Sequence, residues 1–276
     1  MGSGISYGAV TVINAIPCGI GSTIGIDLAT RSEFIPGGNV KDVLIRNDPG
    51  EDDRMARICV ETTLRHIGED PDGWTLNINS DIPISRGLKS SSSACNSIIS
   101  SILDEYGFKM NVLEMIRLGV NCARSAGVTV TGAFDDACGC HLGGLVVTNN
   151  RRDEIISVRD IGEYDVIISV PERKIKKHSI SKDMFTSVRN EIDLAVELVP
   201  TDPFRAMNIN GALISSVLGV DNSLAELALD NGALAAGMSG TGPAVTVITE
   251  KGDGKRLAEL LGSSVITRTR GLSYEL

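Results

Sequence analysis

No run in this 276-residue chain approaches the roughly 20 consecutive apolar residues that a membrane-spanning helix requires. The opening residues, Met1 to Tyr7, also lack the basic and then apolar stretches of a secretory signal, so a soluble protein of the cytoplasm is expected. Histidine is scarce: His66, His141 and His178 lie far apart in sequence, which gives no support to a histidine-based metal site or a Ser-His-Asp triad. The six cysteines, at 18, 59, 95, 122, 138 and 140, contain no C-x-x-C pair and read as small buried thiols in a reducing compartment. Basic residues are outnumbered 26 to 35, for a net charge of -9, which argues against a nucleic-acid or anionic-membrane surface. Any anionic ligand must therefore be held by local donors.

Glycine is plentiful, at 30 residues, and it clusters. The most informative cluster is Pro83-Ile84-Ser85-Arg86-Gly87-Leu88-Lys89-Ser90-Ser91-Ser92-Ser93-Ala94. Upstream, Trp74, Leu76 and Ile78 alternate with Thr75, Asn77 and Asn79, which predicts a half-buried strand. Downstream, Ala94, Ile98, Ile99, Ile102, Leu103 and Tyr106 recur at helical spacing, and Gly107 stands where that helix would stop. The serines thus fall at a helix N-terminus, where the first N–H groups lack partners and favour an anion. A plain Ser-rich N-cap in a surface loop is the alternative, and the commoner explanation of a Ser cluster taken alone.

Three further clusters are Gly19 to Gly25, the region from Gly127 to Gly144, and Gly237-Met238-Ser239-Gly240-Thr241-Gly242-Pro243. Helical patterns run from 51 to 66, 112 to 125, 184 to 198, 204 to 218, 223 to 229 and 254 to 261; strand-like runs include 9–13, 145–148, 165–170 and 244–249. The expected class is α+β. Strands and phosphate-type loops dominate the expected half 1–150, and a helix-rich half, 151–276, closes on a Gly-rich hairpin turning at Ser239 to Gly242. Arg151 to Glu154 is the expected seam, with a solvated turn as the alternative. Two nucleotide motifs are excluded: Leu88 precedes Lys89-Ser90 where a Walker loop needs Gly, and Gly237 to Gly242 leads into Pro243 and a strand, not a Rossmann helix.

In order along the chain, the segment Asn14 to Asp27, Pro83 to Ala94, Gly132-Ala133-Phe134-Asp135-Asp136 with Gly143-Gly144, and Ser239 to Pro243 resemble the motifs of the GHMP kinases. The second motif, Pro-x-x-x-Gly-Leu-x-Ser-Ser, is the most specific, although most relatives have Gly or Ser where Lys89 stands. Within that superfamily, Arg86 to Ser93, Val130 to Asp136 and Ile13 to Ile16 resemble the archaeal-type shikimate kinases. The resemblance implies a two-half fold, the first half like ribosomal protein S5 and the second ferredoxin-like. It also implies ATP- and Mg2+-dependent phosphorylation of the 3-hydroxyl of shikimate. Homoserine or another small alcohol is the alternative acceptor, and an ATP-dependent decarboxylase or a catalytically silent binding relative are the alternative activities.

The family pattern then assigns the triphosphate to Pro83, Ser85, Arg86, Gly87, Leu88, Lys89 and Ser90 to Ser93, together with Gly240, Thr241 and Gly242, and implies Ser91 as a magnesium ligand. It puts the acid-base role on Asp136, seven residues before Gly143, with Asp135 beside it. A helix-capping role for the two aspartates is the alternative. Mevalonate-type relatives have a Lys in the first motif and a Glu about eleven residues before the Asp. Here the first motif has no Lys and position 125 is Ser, so Lys89 or Arg124 is a candidate substitute cation. A small polyol carboxylate needs a cation and neutral donors, and Asn14, Arg124 and Thr131 are the candidate acceptor contacts.

Overall fold

A computed structural model of the chain describes residues 1–83, 86–129, 132–170, 180–263 and 265–273. Two long strands, β1 (Gly2–Ile13) and β2 (Ile20–Pro36), pair antiparallel and are joined through a one-turn helix, α1 (Ala15–Cys18). The Gly19 to Gly25 cluster therefore lies mainly inside β2. Its glycines make room: a Cβ at Gly21 would stand 2.4 Å from a carboxylate oxygen of Asp135, and one at Gly25 would stand 2.7 Å from Gly143 Cα.

The first sheet is completed by β3 (Lys41–Ile45), β4 (Trp74–Ser80), β5 (Leu145–Asn149) and β6 (Glu154–Arg159), with β4 on Thr30–Pro36 and β5 on Ile20–Ile24 of β2. Four helices accompany it: α2 (Arg54–Ile67), α3 (Ser90–Glu105), α4 (Val112–Ser125) and α5 (Phe134–Leu142). This part of the chain is thus more helical than expected, because the inward side chains of β1, β2 and β4 have to be covered. Central α3 lies close against β1. Gly2 and Gly4 have no side chain to hold it off, and Ser97 and Ser101 return their hydroxyls to carbonyls of their own helix.

Arg151 to Asp153 form the turn joining β5 to β6, the solvated-turn reading and not a seam; the change of sheet comes after Arg159. The second sheet contains β7 (Asp165–Ser169), β8 (Ala235–Met238), β9 (Val245–Thr249) and β10 (Val265–Arg268), in the order β10-β7-β9-β8 with every pair antiparallel. That order is the ferredoxin-like arrangement. A 3-10 segment (Lys182–Val188) leads into α6 (Arg189–Leu198), followed by α7 (Pro203–Leu218), α8 (Ser223–Asp230) and α9 (Gly254–Leu260). Asp202 caps α7 by accepting from Arg205 N–H, and Pro203 occupies its first position.

One apolar core joins the two sheets: Val10, Val12 and Ile13 of β1 share it with Val166 and Ile168 of β7, Phe185, and Met207 and Ile214 of α7. The chain end returns to the first sheet, where Arg270 N–H donates to Gly25 O and Gly144 N–H to Arg270 O. No helix among the described residues is long and apolar enough to cross a membrane.

The β1–α3 contact yields a stability test. A Cβ at Gly4 would fall 2.0 Å from Ser97 O. Gly4→Ala is expected to cost about 1–3 kcal/mol, seen as a thermal midpoint several degrees lower. An unchanged midpoint would show that β1 and α3 can separate freely.

Candidate active site

The loop before α3 and the turn between β8 and β9 meet through a small set of backbone contacts. Ser239, fully buried, donates its hydroxyl to Gly87 O at 2.9 Å and accepts from Thr11 N–H at 3.2 Å. Thr11 Oγ1 in turn accepts from Gly240 N–H at 2.8 Å, and Ala244 N–H donates to Arg86 O at 3.1 Å. Gly87 has φ +90, and a Cβ there would lie 2.1 Å from Ser239 O. Glycine at this position is thus required for the loop to approach the turn, a role distinct from close approach to a ligand.

Beside this junction is a cleft of about 780 Å³, lined among others by Thr11, Asn14, Lys89, Ser90, Ser91, Asp135, Asp136 and Thr241. Lys89 is the residue before α3 and adopts φ +66, a conformation uncommon outside glycine; Ala133, before α5, does the same at φ +51. Strain at both helix entries fits a site where backbone position matters more than local comfort. Lys89 supplies α3 with no side-chain cap, and no acid occupies the first turn. In contrast, Asn14 and Asn111 cap α1 and α4. The leading N–H groups of α3 are therefore presented, with the helix dipole, to the cleft.

The Lys89 ammonium is nearly buried, with its side chain 6% exposed, and lies 2.7 Å from Asp136 Oδ1. Burial, the largest single influence, lowers its pKa, but Asp136 and then Asp135 outweigh it and hold the amine above its ordinary value, charged. A solvated loop charge is therefore ruled out for Lys89. Asp135 is buried; its carboxyl accepts from Asn150 Nδ2 at 2.6 Å, and burial followed by the charge of Asp136 raises it to about 7.

Both aspartates sit in the first turn of α5, where the helix dipole favours acids. Lys89, Ser90, Ser91, Ser92, Gly87, Gly240, Thr241, Asp135 and Asp136 all line the cleft. Pro83, Arg86, Leu88, Ser93 and Gly242 do not. Leu88 and Ser93 are turned into the interior, fully buried, and Arg86 meets the Gly-rich turn through its carbonyl. Ser85 and Thr131 lie outside the described residues.

Of the expected acceptor contacts, Asn14 falls in the cleft and Arg124 outside its lining. Asn14 lines the cleft, but its carbonyl oxygen caps Ile16 N–H and its NH2 holds Gly240 O at 2.9 Å, so its amide serves to position the turn. Arg124 is not in the lining; Asp153 engages its guanidinium through two bonds of 2.8 Å.

A second cavity of about 750 Å³, invisible to sequence reasoning, lies on the other side of the α3 entrance and shares Ser90, Ser91 and Val128 with the first. Ile45, Met55, Ala56, Ile78 and Ala94 make its apolar walls. Those residues come from β3, α2, β4 and α3, and no local pattern connects them.

Comparison with known proteins gives a family. The sequence model of the GHMP kinases N terminal domain matches residues 54–144, and that of GHMP kinases C terminal matches 200–265. Shikimate kinase of Thermococcus kodakarensis is 36% identical over 246 residues, covering 88% of this chain and 90% of that protein. Shikimate kinase of Methanosarcina mazei is 37% identical over 264 residues, covering 93% and 88%. The fold is that of mevalonate kinase of Methanococcus jannaschii, at a TM-score of 0.80 and 17% identity over 97% of both chains.

The loop–turn contact can be tested directly. Gly87→Val is expected to leave the chain folded by circular dichroism while forcing loop and turn apart. ATP affinity by calorimetry should fall at least roughly 10-fold, or about 1.4 kcal/mol. Native affinity in the folded variant would mean the contact does not shape the cleft.

Proposed function

The chain belongs to the GHMP kinase family, and we propose that it transfers the terminal phosphoryl group of ATP to the 3-hydroxyl of shikimate. One arrangement carries the reading: the uncapped start of α3, the Lys89–Asp136 pair and the Gly240–Thr241 turn face one another across a single cleft. The choice of shikimate is supported by relatives of that name that match nearly end to end at 36–37% identity, whereas the mevalonate kinase is alike in fold alone.

Phosphoryl transfer asks the protein mainly for alignment and for charge balance on the moving group. In our reading the purine enters the cavity walled by Ile45, Met55 and Ile78. The phosphates run over the N–H groups of Ser90 to Ser92, covered by the Gly240–Thr241 turn. The acceptor occupies the side of the cleft lined by Asn14, Ile16, Ala133 and Asp136. Asp136 orients the acceptor hydroxyl and takes its proton as the new P–O bond forms. Lys89, charged and already at Asp136, counters the charge of the phosphoryl group in flight. Chain up to Arg159 thus supplies the nucleotide and acceptor surfaces, and chain from Asp165 closes the cleft with its turn.

Among the described residues no group of three or more His, Cys, Asp or Glu could hold a metal, so the donor set does not form a resident cage. It fits Mg2+ arriving with the triphosphate, since that ion keeps waters and phosphate oxygens and needs only one or two protein oxygens. Ser91, in the first turn of α3 and lining both cavities, would be that contact; the ion would neutralise phosphate charge. The cytoplasm, where ATP is supplied and all six thiols stay free, is the expected setting.

ADP formation is expected with shikimate and not with homoserine or mevalonate, and the product should gain one phosphoryl group without losing carbon dioxide by mass spectrometry. Turnover confined to another alcohol would reassign the acceptor, and loss of carbon dioxide would make the enzyme a decarboxylase. Asp136→Asn should lower turnover ~100-fold or more with ATP affinity nearly intact; near-native turnover would remove Asp136 from the chemistry.

A further inference from the structure

Asp135 differs from every other described Asp and Glu in being buried, at 4% exposure. Its surroundings are built, not incidental. Its own N–H donates to Asn150 Oδ1 at 3.1 Å, and Thr148 Oγ1 donates to the same oxygen at 2.7 Å. A backbone N–H can only donate, so that end of the amide is its oxygen, and the NH2 end is the one that meets the Asp135 carboxyl at 2.6 Å. Thr23 Oγ1 holds Asp135 O at 3.1 Å, and Gly21 leaves the space that the second carboxyl oxygen fills. Asn150 is itself tethered, its N–H donating to Gly19 O at 2.9 Å. Three segments thus aim one carboxyl at a wall of the cleft, next to Asp136.

Resting on the kinase reading above, we propose that Asp135 is a proton-bearing carboxyl that sets the charge of the acceptor pocket, taking up a proton when the anionic nucleotide binds, and that Asn150 is its positioning residue. The charges facing Asp135 are few. Asp136 lies on its own helix and Lys89 comes from the entrance to α3; the thiols of Cys138 and Cys140, also on α5, are kept protonated by burial. β2 contributes only Gly21 and Thr23, and β5 with its turn contributes Thr148 and Asn150, all neutral. With Asp135 protonated, Lys89 and Asp136 sum to zero; with it ionised, the pocket carries one negative charge and opposes a polyanion. A titration near neutrality, raised by burial and Asp136 and restrained by Lys89 and the Asn150 bond, makes the exchange available under ordinary conditions. By linkage, whatever nucleotide binding does to this proton, the proton does to nucleotide affinity.

The test is carboxyl 13C NMR of the full chain labelled at aspartate, titrated with and without ADP. One resonance should titrate near pH 7 and be missing in Asp135→Asn, which assigns it. Saturating ADP should raise its midpoint by roughly half a unit or more, as an added negative charge does. In Asn150→Ala, checked for folding by thermal unfolding, the midpoint of the free protein should also rise, because a bond favouring the ionised form is gone. An assigned resonance titrating near the ordinary value of about 4, or one unmoved by bound ADP, would overturn the proposal. Failure of ADP to bind the native protein by calorimetry would instead sink the kinase reading on which it rests. Should Asn150→Ala not fold, Thr148→Val, which loosens the same amide, must shift the midpoint; no shift there would remove the positioning role.

Discussion

An ammonium group held almost out of water governs how this molecule is assembled. Removing a charge from solvent is costly unless an opposite charge and hydrogen bonds replace the lost hydration. Lys89 meets that demand with Asp136, which belongs to another helix, and with Asp135 behind it. For the pair to form, the start of α3 and the start of α5 must face one another, and both entry residues accept positive φ to do so. The Gly-rich turn then lies against the same ammonium, close enough that a Cβ at Gly240 would be 3.1 Å from Nζ. One ion pair therefore ties together the three segments from which the cleft is made.

The glycines show the same economy of space. They cluster in the sequence in the way phosphate-binding loops do, but several answer to protein neighbours. Gly87 admits Ser239, Gly21 admits Asp135, and Gly25, Gly143 and Gly144 let the returning chain end reach the first sheet. There Arg270 lies 4.2 Å from the ring centre of Tyr7 and donates to the carbonyls of Cys140 and His141, at the far end of the helix that begins with the paired aspartates. The helix is thus held at both ends by segments from elsewhere in the chain.

Charge follows from this packing. Overall the protein is acidic, and the cation at the heart of the cleft is offset by two carboxyls. In the proposed function, binding a polyanion here would rely on oriented N–H groups and on a charge balance that a proton can alter, not on a broad basic surface. That arrangement agrees with a small, discrete ligand and explains how an acidic chain can hold one.

Local chemistry made much of this legible beforehand. The periodicity from Val112 to Ser125 became α4 with the same limits, the Ser-rich segment opened a helix, and Ser239 to Gly242 turned a hairpin, because each depends on neighbours within a few residues. The ordered motifs carried the family, and with it the two-sheet fold. What the sequence could not supply were relations between distant segments. Arg124 looked like a ligand contact by type, yet Asp153 engages its guanidinium, and Asn14, which does line the cleft, also holds Gly240 in place. Asn150, Ser239 and the cavity beside α2 carried no local signal at all. Secondary structure and motif identity are encoded in short-range sterics and hydrogen bonding, whereas which donor satisfies which acceptor, and which charge is stripped of water, is decided only when the whole chain is packed.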